Sequence, residues 1–258
     1  MSDMKRISKI YYKTGEVKYK KCYQKCLSTD NFKYKYKYHH EDDIPAIIKY
    51  YKNGKIQYEK YYKNGKHHRD NDLPAVIKYK KNGIIWYNEY YINNKLHRDN
   101  DKPALIEFYS NGNISYVEYY QNGICRRDND LPAVIQYYNS TKVHNIKYEV
   151  YYKNDKIHRD NDLPVSIYYY RNGKIDHEIY SNGPLIHRDN DLPAYIKYYK
   201  NGKIQYEKYY KNDWLHRDND LPALIDYDKK IIKFYIDGHF IKEELLNEQI
   251  KNAIEIII

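Results

Sequence analysis

Six pairs of aspartates set one residue apart are the chain's densest concentration of reactive groups. Asp70 and Asp72, Asp99 and Asp101, Asp128 and Asp130, Asp160 and Asp162, Asp189 and Asp191, and Asp218 and Asp220 each flank an asparagine. Paired hard oxygens are the ligands calcium prefers, and stacked segments would let one ion draw on two of them. The segment nevertheless lacks the glycine and distal glutamate of an EF-hand and the Gly-rich nonapeptide of calcium-binding β-rolls. Asp and Asn also bond their own backbone in turns. Each pair follows an arginine, namely Arg69, Arg98, Arg127, Arg159, Arg188 or Arg217. The favoured reading is a structural turn, with an arginine ladder beside an aspartate ladder and Arg-to-Asp pairs between segments fixing register. Calcium binding by the twelve aspartates is the alternative. His39, His68, His97, His158, His187 and His216 read as packing or bridging groups rather than zinc ligands, since Arg126 takes the fourth place in the series.

Other chemistry finds less support. His-Arg-Asp occurs in kinase catalytic loops, but here it recurs without a Gly-rich phosphate loop or Asp-Phe-Gly. A catalytic site needs one asymmetric constellation, whereas nearly every histidine lies on a lattice of repeats. Cys22, Cys26 and Cys125 form no disulfide framework, and the Cys22/Cys26 spacing is followed by no second pair at zinc distance. No cofactor is expected.

The elements that must carry these groups are units of a tandem repeat. Pro45, Pro74, Pro103, Pro132, Pro164, Pro193 and Pro222 are spaced by 29, 29, 29, 32, 29 and 29 residues, the longer gap coinciding with the stretch 139–145. After each proline, segments such as Ala46–Tyr51 and Ala194–Tyr199 alternate imperfectly between apolar and Lys residues, the pattern of a strand with one better-buried face. Asn-Gly follows at 53–54, 82–83, 111–112, 172–173 and 201–202, predicting type I′ hairpin turns. Second strands such as Ile56–Tyr62 and Ile204–Tyr210 end at Asn64-Gly65, Asn122-Gly123 or Asn182-Gly183, with Asn94, Asp155 or Asp213 standing in where Gly is missing. Proline at strand entry suits its missing N–H and the extended geometry it favours just upstream. Each unit therefore reads as one β-hairpin plus a polar connector.

The expected fold is all-β, an elongated single-sheet antiparallel hairpin repeat, a solenoid-like meander. Residues 1–38 form a degenerate N-terminal repeat or cap, in which Tyr11-Tyr12-Lys13-Thr14-Gly15 echoes Tyr50–Gly54. Residues 39–224 are the tandem repeats, and 225–258 the C-terminal cap. The cap comprises a divergent hairpin around Asp237-Gly238 and a helix over 242–258, with Leu245, Leu246, Ile250, Ala253, Ile254 and Ile257 on one face.

Composition narrows the partners. Tyr accounts for 37 residues against four Phe and two Trp, and its hydroxyl suits thin layers near solvent rather than a deep core. The net charge of +10 favours acidic partners, and interleaved Tyr and Lys could stack bases and neutralise phosphates. Glu59, Glu89, Glu118, Glu149, Glu178 and Glu207 interrupt that stripe and weaken the nucleic-acid case. No signal peptide or membrane span is read from the sequence, so an intracellular, non-secreted protein is expected.

The Tyr-Tyr-Lys-Asn-Gly-Lys motif at Tyr50–Lys55, and its echo at Tyr61–Lys66, resembles the MORN and MORN-variant repeats. The HRDNDLPA connector is similar to the version found in giant DNA viruses of amoebae. The resemblance spans about Tyr11 to Leu224, although the 29-residue unit is longer than a MORN repeat. It implies a β-sheet scaffold for protein or membrane-lipid contact, without chemistry of its own, located in host cytoplasm or viral factory. Residue patterns and resemblance together lead to three expectations. The first is a non-enzymatic scaffold for protein-protein interaction or self-assembly through a Tyr/Lys-rich sheet surface. The second is a basic nucleic-acid-binding protein, and the third a membrane-lipid contact protein.

Overall fold

Strands form where β-branched residues and tyrosine follow each repeat proline, because these side chains fit a pleated, half-buried surface. The structure, a computed structural model, describes residues 5–27, 34–38, 43–140 and 145–247. Every regular element among them is a β-strand. The chain divides into two compact units, Met1–Cys125 and Arg126–Ile258. In the first, Lys5–Tyr11 pairs with Val17–Leu27, which pairs in turn with Tyr34–Tyr38 and Ile47–Tyr50. The antiparallel meander then runs through Ile56–Lys60, Val76–Tyr79, Ile85–Glu89, Leu105–Phe108 and Ile114–Glu118. The second unit repeats the arrangement from Val134–Tyr137 and Ile146–Val150 through Ser166–Tyr169, Ile175–Ile179, Tyr195–Tyr198, Ile204–Lys208 and Leu224–Asp226. It closes with Ile231–Ile236 and His239–Leu245.

Each repeat holds two hairpins rather than one. The expected second strand Ile56–Tyr62 leaves the sheet after Lys60, where the Tyr61 N–H donates to Ala75 O at 2.8 Å. Tyr62–Lys63 then pairs with Lys66–His67 as a short hairpin. Equivalents in the first unit are Tyr91–Ile92 with Lys95–Leu96 and Tyr120–Gln121 with Ile124–Cys125. In the second they are Tyr152–Lys153 with Lys156–Ile157, Ser181–Asn182 with Leu185–Ile186, and Tyr210–Lys211 with Trp214–Leu215. Short hairpins are joined by a backbone bond to the preceding repeat, as in Asn94 N–H to His67 O at 2.9 Å and Asp213 N–H to Ile186 O at 2.9 Å.

Three kinds of turn use asparagine differently. At Asn53-Gly54 only the glycine has positive φ, +76°, and Tyr51 N–H donates to Lys55 O. This is a type I turn closed by a glycine bulge, and the strand register slips at Lys49/Tyr50. The expected type I′ geometry is thus corrected at 53–54, 82–83, 111–112, 172–173 and 201–202. The extra loop residue lets the glycine alone carry the left-handed conformation. The short hairpins are type I′: Asn64 and Gly65 have φ of 52° and 79°, and Asn94, Asp155 and Asp213 occupy the glycine's place at 70°, 63° and 69°. At 181–186 the loop residues are Gly183 and Pro184, one position on from the expected Asn182-Gly183. Pro184 therefore sits where the other repeats present the N–H that reaches the preceding short hairpin. The Asp-Asn-Asp connector is a third turn, with Asn71 and Asp72 both left-handed at 60° and 55° and Leu73 N–H directed at Asp70 O. The same pair of left-handed residues recurs at 100–101, 129–130, 161–162, 190–191 and 219–220.

The longer proline gap is absorbed in a single loop. Tyr138 N–H donates to Asn145 O, seven residues on instead of four, while the pairing beyond is preserved as Gln136 opposite Tyr148. Residues 141–144 lie outside the described residues. Tyr11–Gly15 makes the same turn as Tyr50–Gly54, with Tyr12 N–H to Glu16 O and Gly15 N–H to Tyr12 O.

At the C-terminus the hairpin around Asp237-Gly238 is present. Residues 242–245, expected to open a helix, are instead strand, paired with Ile231–Phe234. The pairing bonds offered by the neighbouring strand override the local helical pattern. Residues 248–258, the rest of the expected helix, lie outside the described residues.

The core is thin and repetitive. Ala46, Ala75, Ala104, Ala133, Ala194 and Ala223 are fully buried, and Val165 holds the same place at 2% exposure. A small residue there lets a tyrosine ring close over it, as in the clusters of Tyr61 with Ala75 and Ile77 and of Tyr180 with Ala194 and Ile196. The most enclosed aliphatic pair, Ile225 and Ile232, packs at the end of the second unit. Burying one such side chain contributes about 1.5–3 kcal/mol.

Candidate functional site

Arg69, Arg98, Arg159 and Arg188 engage three groups each, whereas Arg217 engages two and leaves Nη1 buried without a hydrogen-bond partner. Arg188 donates to both carboxylate oxygens of Asp162 in the preceding repeat and to Pro193 O in its own, and its guanidinium lies 3.6 Å from the Tyr180 ring centroid. Arg69 does the same with Asp43, Pro74 O and Tyr61, and Arg98 with Asp72, Pro103 O and Tyr90. Arg159 grips Asp130, and Arg217 grips Asp191 over Tyr209. Arg127 donates to Pro132 O. The planar fork matches the carboxylate and stacks on the ring, which a lysine could not do.

The two aspartates of a connector have separate duties. The second one serves the next repeat's arginine, and in Asp72 that hydrogen bond, with Lys102 also near, pulls the carboxyl down to about 2. Asp43 is likewise held low by Arg69. The first aspartate stays at home: His68 Nε2 lies 2.8 Å from Asp70 Oδ1 and Lys63 Nζ 2.9 Å from Oδ2. These bonds lower the Asp70 carboxyl, and the equivalent set lowers Asp160 and Asp218. Asp99 and Asp189 accept from His97 and His187 in the same way. Asp70 and Asp72 thus diverge to different partners, and no group of three or more His, Cys, Asp or Glu gathers as a metal cage among the described residues.

The histidines bridge repeats through their second nitrogen. Nδ1 of His68, His97 and His187 accepts the backbone N–H of Asn93, Asn122 and Asn212 at 3.3, 3.0 and 3.4 Å, and His216 accepts that of Asp237 at 3.1 Å. In His68, His97 and His187 this arrangement suits a ring that donates at Nε2 and accepts at Nδ1. His39 lies outside the described residues.

Tyrosine hydroxyls extend this stapling. Tyr51 OH donates to Tyr79 O and Tyr170 OH to Tyr198 O, one repeat on. Tyr79, Tyr169, Tyr198 and Tyr227 donate back to Glu59, Glu149, Glu178 and Glu207. Burial and the adjacent carboxylate raise the Tyr79 and Tyr198 hydroxyls, and burial raises the Glu207 carboxyl. Glu59 is adjacent in its strand to Tyr58 and so faces the opposite side of the sheet. Glu89 and Glu118 are one step out of that register and accept from Tyr87 and Tyr116 on the tyrosine side.

That side carries the most distinctive surface. In the second unit the rings of Tyr148, Tyr168, His177, Tyr195 and Tyr206 run in one row, with successive centroids 5.3, 4.1, 5.2 and 5.7 Å apart. The last three contacts are parallel to within 15°. Lys208 reaches over both Tyr195 and Tyr206, while Lys197 pairs with Asp176 at 2.7 Å. Burial depresses His177. In the first unit Lys49 lies over Tyr19 and Tyr58, and Lys78 over Trp86 and Tyr87.

Sequence reasoning set an arginine ladder beside an aspartate ladder without saying which aspartate of a pair each arginine takes, and it missed the carbonyl of the repeat proline as a further contact. It also missed the amide-accepting role of histidine, which depends on a neighbouring repeat's backbone. Scans against protein-family models and a search of curated proteins find no match to the chain. No helix among the described residues is long and apolar enough to cross a membrane.

Proposed function

We propose that the chain is a non-enzymatic repeat scaffold that binds another protein, or further copies of itself, through the Tyr/Lys face of the sheet. The carrying observation is the row Tyr148–Tyr168–His177–Tyr195–Tyr206. From Tyr168 onward its rings lie parallel to within 15°, with centroids 4.1 to 5.7 Å apart. Rigid tyrosines supply large contact area at low conformational-entropy cost and are enriched in protein-recognition surfaces. The MORN-variant resemblance agrees with a scaffold of this kind.

A nucleic-acid reading draws support from Glu59, Glu149, Glu178 and Glu207 lying away from this face, which leaves its lysines less interrupted than the sequence suggests. It ranks second because base stacking needs free ring faces. Lipid contact rests on the resemblance alone. The test is capture of partners by the wild type and by a Tyr168→Ser/Tyr206→Ser variant whose melting confirms that it folds, alongside light scattering of each. Loss of partner or self-association in the variant supports the proposal; retention of both refutes it. Binding of DNA or RNA at about 50 mM salt, falling steeply as salt rises, would install the second reading instead.

A further inference from the structure

The connectors at Arg126–Leu131 and His158–Asn161, with Tyr151–Asn154, enclose a groove of about 320 Å³. It is flanked by two breaks in the otherwise regular ladder. On one side Arg126 replaces histidine. Its guanidinium donates to Asp128, reproducing the imidazole's donor half. It cannot reproduce the acceptor half, because a guanidinium has no lone pair to offer. The Asn154 N–H, counterpart of the Asn93, Asn122 and Asn212 amides, is left without that acceptor. On the other side His158 makes its Asp160 contact at 2.9 Å. Its Nδ1, however, lacks the amide donor its counterparts have, since Gly183-Pro184 reshapes the opposing turn. Its side chain is 37% exposed, against 12–15% for His68, His97, His187 and His216.

We infer that this groove binds a small phosphate-bearing ligand, inorganic phosphate or a phosphomonoester. A phosphate oxygen would take the place of the missing imidazole nitrogen, accepting from the Asn154 N–H and from guanidinium N–H groups of Arg126 not used on Asp128. The lining carries four cations, Arg126, Arg127, Lys153 and Arg159, against three carboxylates, Asp128, Asp130 and Asp160. Lys153 already pairs with Asp160, and Arg159 with Asp130. Arg126, the one side chain that departs from the repeat, therefore adds a cation where the other repeats carry an imidazole. A phosphate also supplies several acceptor oxygens in the geometry a guanidinium fork prefers. The groove has room beyond the phosphate for a small organic group, with Tyr151 and Tyr152 along its wall. The inference is independent of the protein-binding face.

The test is titration of the full chain with inorganic phosphate and, separately, ribose 5-phosphate, at constant ionic strength with chloride as the control. Binding is followed calorimetrically and by the backbone amide resonances. A saturable shift of the Asn154 amide, with the Asn93, Asn122 and Asn212 amides unmoved, is expected. Arg126→His restores the residue the other repeats carry, so the fold should persist while affinity falls about tenfold or more, the loss of a hydrogen bond to a charged group. If that variant fails to melt like the wild type, Arg126→Gln provides the same charge removal. Tighter binding of ribose 5-phosphate than of phosphate would identify the monoester as the ligand. Unchanged affinity in a folded variant, equal shifts at all four amides, or no binding of either probe would overturn the inference.

Discussion

Arg188 and Arg217 make the same bidentate contact in neighbouring repeats, yet their surroundings differ in a way that sets the cost of losing them. Arg188 is 14% exposed and its partner Asp162 47%, whereas Arg217 is 1% exposed and Asp191 35%. For Arg188→Ala the loss is a partly screened ion pair of about 1 kcal/mol and a cation–π contact of similar size, roughly 2 kcal/mol together. Arg217→Ala removes a buried cation with the half-screened Asp191 and the buried Glu207 left behind, and Glu207 already has its carboxyl raised by burial. Removing one partner of a buried pair costs about 3–5 kcal/mol. Urea denaturation, which preserves electrostatics, reads both. With a slope of about 2 kcal/mol per M, the midpoint falls by about 1 M for Arg188→Ala and about 1.5–2.5 M for Arg217→Ala. Equal shifts, or a larger one for Arg188→Ala, would refute the claim that burial decides the strength of these rungs.

Acid should loosen the same ladder. The Asp43 and Asp72 carboxyls are depressed by their arginines, so their stabilisation is complete above the ordinary carboxylate range near 4 and is lost as pH falls toward about 2. Urea midpoints at pH 7, 4 and 2.5 should drop mainly in the last interval, less so in Asp72→Asn; a flat profile would count against the assignment. Gly238→Ala places a methyl carbon 2.4 Å from Trp214 Cε3 at a φ of +80°, whereas Gly54→Ala meets nothing within 4 Å at +76°. The second should cost about 1 kcal/mol and the first at least 1 kcal/mol more by thermal unfolding, and equal costs would disprove the Trp214 packing. Because Asp72 and Asp162 oxygens are already held by guanidinium groups, EDTA should leave the melting midpoint unchanged; a fall of several degrees would restore the calcium reading.

Period, strand entry and the arginine-aspartate ladder were all legible in the sequence, because each repeats in step with proline. Asn94, Asp155 and Asp213 were recognisable as glycine substitutes because few residues tolerate a left-handed backbone. The Asn-Gly dipeptide misled at 53–54, since the same two residues close a type I turn with a bulge or a type I′ turn, and only the strand pairing on either side chooses between them. Asn71-Asp72 is a related case: the connector's Asp and Asn mark a turn, but without glycine nothing in the sequence marks two consecutive left-handed residues. Lys242–Leu245 shows the limit of local periodicity, where a neighbouring strand's unpaired backbone outweighed a helical pattern. The duties of His68 Nδ1 and Glu59 belong to atoms one repeat away and leave no trace in composition.

In the regular part of the array every staple spans one repeat: Arg98 to Asp72, Asn94 to His67 and Tyr51 to Tyr79 all join a repeat to its immediate neighbour. A gene that gains or loses one 29-residue block in frame therefore produces a chain whose internal bonds are still all made, longer or shorter by two strands, about 10 Å of sheet. Size in such a protein is adjustable in fixed steps, and a duplication or deletion that would ruin a globular domain becomes a change of reach.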